Sequence, residues 1–382
     1  MAWTRLVPGR LKPGQPLPFS LLDRHGRVLL NCGFVIQQEE QLARLIERGA
    51  YYDEIETEGD VVAAGAERVC IQEIIVGIIH DYERVLDCPL DALQPEIVLD
   101  IARRVQMVCR LDPEPALACI QLQRASRYSM RHAFHTAVLT EILLSRLDRD
   151  DAQRLPAVAG ALTMNVMMLG LQDALYHQST ALTPEQKMQI VVHPRDGARA
   201  LAARGVDDPV WLDVVEHHHE MPDGSGYTKR LKEEALSLES QVVSLADRYC
   251  AMVAERAYRA GTLPHLAAKE LLSRQGSTVA PNLAAAFLKE IGLYPPGTVV
   301  TLNNGEIAVV VRRTLNPAQP IVRSLRAPSG VRYESPPKRQ TSKAVYGIRE
   351  VLGPELLRGF DLTELWPRAE AEAADDAAAA GS

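Results

Sequence analysis

The densest chemistry in this sequence lies between Glu216 and Tyr227. Three consecutive imidazoles, His217, His218 and His219, sit between Glu216 and Glu220. The run Asp223-Gly224-Ser225-Gly226-Tyr227 follows after Met221 and Pro222. Adjacent histidines beside an acidic residue suit the lip of a metal site, because neutral imidazole is a common ligand for divalent ions. The Asp-Gly-Ser-Gly run demands a tight, mobile turn, since glycine adopts the φ > 0 conformations that other residues resist. A histidine run alone is ambiguous, as exposed clusters often have no role. Its weight depends on which elements bring further polar groups to the same place.

At 382 residues the chain is expected to form two or three domains. A formal charge of −7 and a pI near 5.9 argue against a nucleic-acid polymer or an anionic membrane surface as partner. The first nine residues lack the hydrophobic region of a secretory signal. The longest apolar run, residues 155–171, contains Pro156, Gly160, Thr163 and Asn165. It falls short of the roughly 20 apolar residues that span a bilayer, so it predicts a buried helix and no membrane span. Cys32, Cys70, Cys88, Cys109, Cys119 and Cys250 show no CxxC pairing. Dispersed thiols fit a reducing cytoplasm, the expected location.

The fold class expected is mainly α. Residues 1–59 read as a small N-terminal α+β module, with strand, turn, strand, helix and strand over 17–58 and the turn at Arg24-His25-Gly26. Its helix, 37–49, places Leu42, Leu45 and Ile46 on one face and Gly49 at the C-cap. Residues 60–122 are helical by periodicity, with Ile71, Ile74, Ile75, Ile78 and Ile79 in one stripe. With breaks at Pro89, Pro95, Pro113 and Pro115 they predict a helical connector. Residues 123–294 predict an all-helical main domain. Its helices cover 131–147, 184–193, 240–261, 266–274 and 282–292, with Pro184 in a first turn after Thr183 and Pro194 ending or bending that helix. In residues 295–366 the apolar period switches to two. Segments 298–302 and 307–311 around Asn303-Asn304-Gly305 make a strong hairpin signal, with further strands at 320–325 and 344–351. This predicts a small β-barrel-like appendage carrying Arg323, Arg326, Arg332, Lys338, Arg339 and Lys343 on a solvated face. Residues 367–382, rich in Ala, Asp and Glu, predict a disordered tail.

Ordered motifs stand on these elements: Tyr128-Ser-Met-Arg-His132, Gly170-Leu-Gln-Asp173, Leu182-Thr183, and His193-Pro-Arg-Asp-Gly197. His218 to Tyr227, Leu245-Ala-Asp247-Arg-Tyr249, Arg256-Ala-Tyr-Arg259 and Tyr294-Pro-Pro-Gly297 follow in turn. From Tyr128 onward the chain resembles the HD-GYP family of bacterial cyclic di-GMP phosphodiesterases. The resemblance implies an all-helical HD-type metal-phosphohydrolase domain. In active relatives carboxylates and imidazoles hold two or three divalent cations, usually iron or manganese, and a metal-bound hydroxide attacks the phosphodiester.

By that resemblance His132 and Asp247 belong to a first metal site, and His193, His218 and His219 to a second. Arg256 and Arg259 correspond to arginines that hold nucleotide phosphates, a role suited to their planar forks. The loop Asp223, Gly224, Ser225, Gly226 and Tyr227 corresponds to one that contacts partners such as diguanylate-cyclase-type proteins. The departure is at the His-Asp pair. The family segment Leu-His-Asp-Ile-Gly-Lys-Ile-Gly corresponds to residues 163–170, so Met164 stands for the His, Asn165 for the Asp and Met168 for the Lys. Gly170 and Asp173 hold the register. Tyr128 stands where members with an extra metal carry a Glu, and Thr228 replaces the Pro that closes the turn.

A shared carboxylate offsets the repulsion between cations about 3.5–4 Å apart. Neutral Asn165 cannot do this, and a methionine thioether is poorly matched to Fe²⁺ or Mn²⁺. Three imidazoles suffice for one tetrahedral Fe, Mn or Zn ion with an open position. His193, His218 and His219 therefore either hold one metal or remain polar groups without an ion. Met164, Met167 and Met168 are expected to fill the core. His135 is expected at an ordinary polar helix position and His217 at the surface, with Glu220 and Asp223 stabilising the turn. Asp247 would be costly to bury without a cation or donors.

Two readings follow. One is a non-hydrolytic cyclic di-GMP receptor or protein-interaction module; the other is a phosphodiesterase working through a reduced metal site. Loss of a single electrostatic stabiliser typically costs about 10²–10³ in rate, and several are missing together, which favours the first.

Overall fold

The computed structural model describes residues 3–6, 11–13, 17, 21–22, 28–30, 36, 39–47, 49–53, 71–124, 126–255, 261–273, 279–357, 360 and 362–366. The turn expected at Arg24-His25-Gly26, the arginines Arg256 and Arg259, and the tail 367–382 lie outside them. The chain divides into two units, Met1–Arg68 and Val69–Ser382.

In the first unit, α1 (Glu39–Glu47) accompanies an antiparallel sheet of order β1-β4-β2-β3. The strands are β1 (Trp3–Arg5), β2 (Leu21–Leu22), β3 (Val28–Leu30) and β4 (Tyr51–Asp53). Leu42 is buried with Leu6, Leu17, Leu21 and Ile36, while Leu45 and Ile46 pack against that cluster. Gly49, at φ 76°, takes the left-handed cap position expected of it, and Ala50 N donates to Leu45 O at 3.0 Å. β1 escaped the sequence reading, because three residues are too few to show alternation.

The second unit is helical up to Ile291. α2 (Ile71–Leu86), α3 (Pro95–Leu111) and α4 (Pro113–Leu122) lead into α5 (Tyr128–Arg146). These first helices are not a connector. Ile75, Ile78 and Ile79 of α2 and Val98, Ile101 and Val105 of α3 enter one core with Phe134, Leu139 and Leu143 of α5. An isoleucine stripe that continuous needs an apolar partner, and α3 and α5 supply it. Pro95 and Pro113 begin helices, where their missing N–H groups cost nothing, and Pro115 lies within the first turn of α4.

Residues 155–171 do not form one helix. α6 (Asp151–Thr163) and α7 (Leu169–His177) are separated by a turn at 164–168, closed by Val166 N to Thr163 O at 3.1 Å and Met168 N to Asn165 O at 2.8 Å. The apolar run breaks where Asn165 leaves the core. α8 (Pro184–Ala203) opens on a capping box between Thr183 and Gln186 and does not end at Pro194. α9 (Pro209–His217) and α10 (Leu238–Val253) follow, α10 stopping well short of the expected residue 261. α11 (Pro264–Ser273) and α12 (Pro281–Ile291) complete the helices. No described helix is long and apolar enough to cross a membrane.

The C-terminal part is an antiparallel sheet of order β8-β7-β6-β5-β9. Its strands are β5 (Val299–Leu302), β6 (Ile307–Arg312), β7 (Ile321–Arg326), β8 (Lys338–Gln340) and β9 (Ile348–Leu352). The hairpin forms as expected, with Gly305 at φ 88°. On one face Val300, Val310 and Val322 form one small cluster with Tyr294, Tyr346 and Ile348, and in place of the expected barrel the sheet has no β8–β9 pairing among the described residues. The other face sets Val299, Val309 and Leu325 against Ala118 and Leu122 of α4.

Of the six basic residues expected on a solvated face, Arg332 and Lys343 are exposed and Arg323 is buried, and the four arginines all have partners. Arg323 is buried and donates to Pro336 O at 2.8 Å, Arg339 binds Glu306 at 3.0 and 3.1 Å, and Arg332 pairs with Glu364. Arg313 ties the sheet to the helices, donating to Glu114 at 2.9 Å and to Glu290 at 2.8 Å. Removing it leaves buried Glu114 without its cation, while Glu290 keeps Arg146 at 3.0 Å. Arg313→Met is expected to lower unfolding stability by about 3 kcal/mol, read as a shift in the urea midpoint with the slope unchanged.

Candidate metal centre

Four helices and two turns converge on one cavity of about 390 Å³. α5 brings His132, α8 brings His193 and α10 brings Asp247, while the α6–α7 turn brings Asn165 and Met168. His218 and His219 follow directly on the last turn of α9. One nitrogen from each of His193, His218 and His219 lies within 4.8 Å of the others.

Local backbone chemistry aims these rings. Pro194 has no N–H, so the carbonyl of Ile190 loses its helical donor. His193 Nδ1 takes that place at 2.7 Å. His218 Nδ1 donates to Val215 O at 2.9 Å. Both rings therefore turn Nε2 inward, and the two Nε2 atoms lie 3.2 Å apart. A neutral imidazole carries one N–H, already used at Nδ1 on each ring, so two lone pairs face each other. Burial, with His218 adding to it, pushes His193 down to about 3. Burial also lowers His218 and holds His219 well below its ordinary value. Neutral rings with Nδ1 bonded to main-chain carbonyls and Nε2 converging are the arrangement that metal ligation requires. The three histidines fit one divalent ion.

The other half of the cavity is arranged differently. His132 Nε2 donates to Asp247 Oδ1 at 2.7 Å, and both groups are buried. Burial alone would raise the Asp247 carboxyl, but the His132 hydrogen bond and the nearby imidazoles hold it below the usual range. His219 Nδ1 lies 3.8 Å from Asp247 Oδ2. Tyr128 stacks on His132 with ring centres 5.4 Å apart, and on Tyr176 at 4.8 Å. Asn165 lines the wall and brings no charge. The sequence expected three methionines in the core, and the structure divides them. Met164 is fully buried there and does not line the cavity, Met168 forms part of the wall, and Met167 is exposed.

The turn after His219 is held from inside. Glu220, 1% exposed, accepts hydrogen bonds from the main-chain N–H groups of Lys229, Arg230 and Leu231, the last at 2.9 Å. Asp223 Oδ1 accepts from Ser225 N at 2.9 Å and from its hydroxyl at 2.6 Å. Gly224 needs its φ of 76°. A Cβ on Gly226 would stand 2.5 Å from Glu220 Cα, so only glycine admits this close approach. Tyr227 stacks on His219 at 4.7 Å, which links the loop to the centre. Asp223 and Ser225 are exposed at its tip.

His217 is not simply at the surface. Its Nδ1 donates to Asp213 Oδ1 at 2.8 Å, and Lys229 Nζ lies 3.2 Å from its Nε2. His135 is buried instead of being an ordinary polar helix position, and burial lowers it well below its usual value. Gln172 and Tyr176 of α7 also line the cavity. Sequence reasoning missed both, because a single Gln or Tyr on a short helix carries no pattern. Their i, i+4 relation does place them on one helix face.

Residues 114–283 match the HD domain family. A cyclic di-GMP phosphodiesterase of Pseudomonas aeruginosa is 27% identical over 201 residues, covering 53% of this chain and 48% of that protein. The cyclic di-GMP phosphodiesterase PdeB of Borreliella burgdorferi is 23% identical over 187 residues, 49% of each chain. The chain spans about half the length of these curated relatives. The solved structure of an HDG"Y"P protein from Bdellovibrio bacteriovorus covers 75% of this chain and 99% of its own, at 16% identity and a TM-score of 0.48. The match of residues 114–283 to the HD domain family and the similarity to these phosphodiesterases agree with the resemblance that the motifs carry.

The buried neutral histidines set a pH dependence for the metal-free protein. In the unfolded chain histidine titrates near 6.5, whereas folded His193 stays neutral down to about 3. Stability is then complete above pH about 6.5 and falls as the pH drops from there, by up to about 1.4 kcal/mol per pH unit for each such histidine. Urea unfolding of metal-free protein between pH about 7 and 5 is expected to show that decline. His193→Gln is expected to flatten it.

Proposed function

We propose that this chain is a cyclic di-GMP signalling protein whose HD domain holds one divalent ion and binds the nucleotide without hydrolysing it. It would act as a receptor or protein-interaction module in the cytoplasm. The observation that carries this reading is the asymmetry of the centre. On one side two inward lone pairs of His193 and His218 lie 3.2 Å apart with His219 beside them. On the other side His132 Nε2 and Asp247 Oδ1 share one hydrogen bond at 2.7 Å, and Asn165 brings no charge.

A divalent ion held by His193, His218 and His219 would supply positive charge to a ligand phosphate. Asn165 in the wall offers amide donors to the same oxygens, where a carboxylate would repel them. Asn165 carries no charge where the resemblance places the carboxylate shared between two cations, so the two-ion arrangement used for phosphodiester hydrolysis lacks its bridging group. Arg256 and Arg259 remain the candidates for further phosphate contact. The exposed tip at Asp223 and Ser225, fixed from beneath by Glu220, is the surface we assign to protein partners of the diguanylate-cyclase type. The names of the relatives support the choice of cyclic di-GMP as ligand.

Incubation with Zn²⁺, Mn²⁺ or Fe²⁺ followed by gel filtration and metal analysis is expected to give one ion per chain. His218→Ala should abolish uptake, and cyclic di-GMP should be recovered intact after binding. Two ions per chain, or steady conversion of cyclic di-GMP to a linear product by the wild-type protein, would reject the proposal.

A further inference from the structure

The cavity has a second polar feature, remote in kind from the histidines. Gln172 lies on α7 and lines the cavity while only 8% exposed. Its Oε1 is buried and has no hydrogen-bond partner among the described residues. A buried amide oxygen without a partner costs about 1–3 kcal/mol, so such a group in a cavity wall marks a place where a ligand donor belongs.

The position is built rigidly. The neighbouring Asp173 accepts from Ser129 N at 2.8 Å and from Ser129 Oγ at 2.9 Å, which pins α7 to the start of α5. The other glutamine of the wall, Gln178, is fully occupied. It exchanges hydrogen bonds with Gln186 at 3.1 and 2.8 Å and also donates to Ala181 O. Around Gln172 the wall is apolar and aromatic, through Met168, Leu175, Tyr176 and Leu182.

These features select the ligand group. An ionised phosphate has no proton to donate to Oε1, so it belongs at the histidine end. A flat, largely apolar body with one N–H next to an acceptor matches the amide as a two-point partner. Guanine shows that pair at N1–H and O6, and adenine at N6–H and N1. A cavity of about 390 Å³ is near the small end of ligand pockets, and it takes one nucleotide half of a larger molecule. We infer that Gln172 reads the edge of a purine base seated in the apolar half of this cavity. This deepens, and rests on, the nucleotide reading above.

The test is calorimetry on the full chain with cyclic di-GMP, GMP and ribose 5-phosphate, using wild type, Gln172→Met and Gln172→Glu. Methionine keeps length and removes both hydrogen-bonding groups; glutamate keeps the acceptor and removes the donor. Gln172→Met is expected to weaken cyclic di-GMP and GMP about ten- to hundredfold and to leave ribose 5-phosphate within twofold. Gln172→Glu is expected to retain more guanine affinity than Gln172→Met. Zn²⁺ affinity unchanged in both variants reports an intact centre. If GMP binds in a Gln172-dependent way while cyclic di-GMP does not bind, the base contact stands and the cyclic di-GMP proposal falls. Equal weakening of ribose 5-phosphate, purine affinity insensitive to Gln172→Met, or no purine binding at all would overturn the inference.

Discussion

His193 and His218 each give their Nδ1 proton to a main-chain carbonyl three residues earlier, Ile190 O and Val215 O. That pair of bonds fixes both tautomers and directs both Nε2 lone pairs into the same small volume. One of the two depends on Pro194, whose missing N–H releases the Ile190 carbonyl without stopping α8. The surrounding core then has to keep these rings dry and uncharged. Burial depresses their proton affinity, and an uncharged ring is the form that binds a metal ion. Orientation and neutrality thus come from the same packing.

The charge balance of the centre follows from what sits opposite. Asp247 would be a severe liability if buried alone, and His132 relieves it directly. Asn165 keeps a polar edge on the cavity but adds no charge, and Met164 turns away into the apolar core. The cavity thus combines three converging imidazoles, a neutral amide wall and an aromatic column of Tyr176, Tyr128 and His132.

Much of this was legible in the residues. The histidine run, the glycine turn and the retained Asp247 located the centre, and the switch from helical to alternating period located the sheet. The expectation that positions 164, 165 and 168 depart from the family pattern takes its register from Gly170 and Asp173. What could not be read was direction. Three methionines at nearby positions look alike as text, yet one lies in the core, one in the cavity wall and one in solvent. The arginines of the sheet looked like a basic surface, and most are spent on Glu306, Glu364 and main-chain carbonyls.

Composition and periodicity alone determined that the chain is mainly helical, with an α+β start and a β-rich end, because apolar spacing reports which face of each element must be buried. The ligand types were likewise set by residue identity, since imidazoles, amides and carboxylates carry their chemistry wherever they are placed. Only the tertiary structure decided which of them meet. The pairing of His132 with Asp247 and the facing of His193 and His218 are contacts between residues distant in sequence, and the burial of Gln172 Oε1 without a partner follows from the same packing. Their geometry is fixed by how the helices pack, a property that no local pattern encodes.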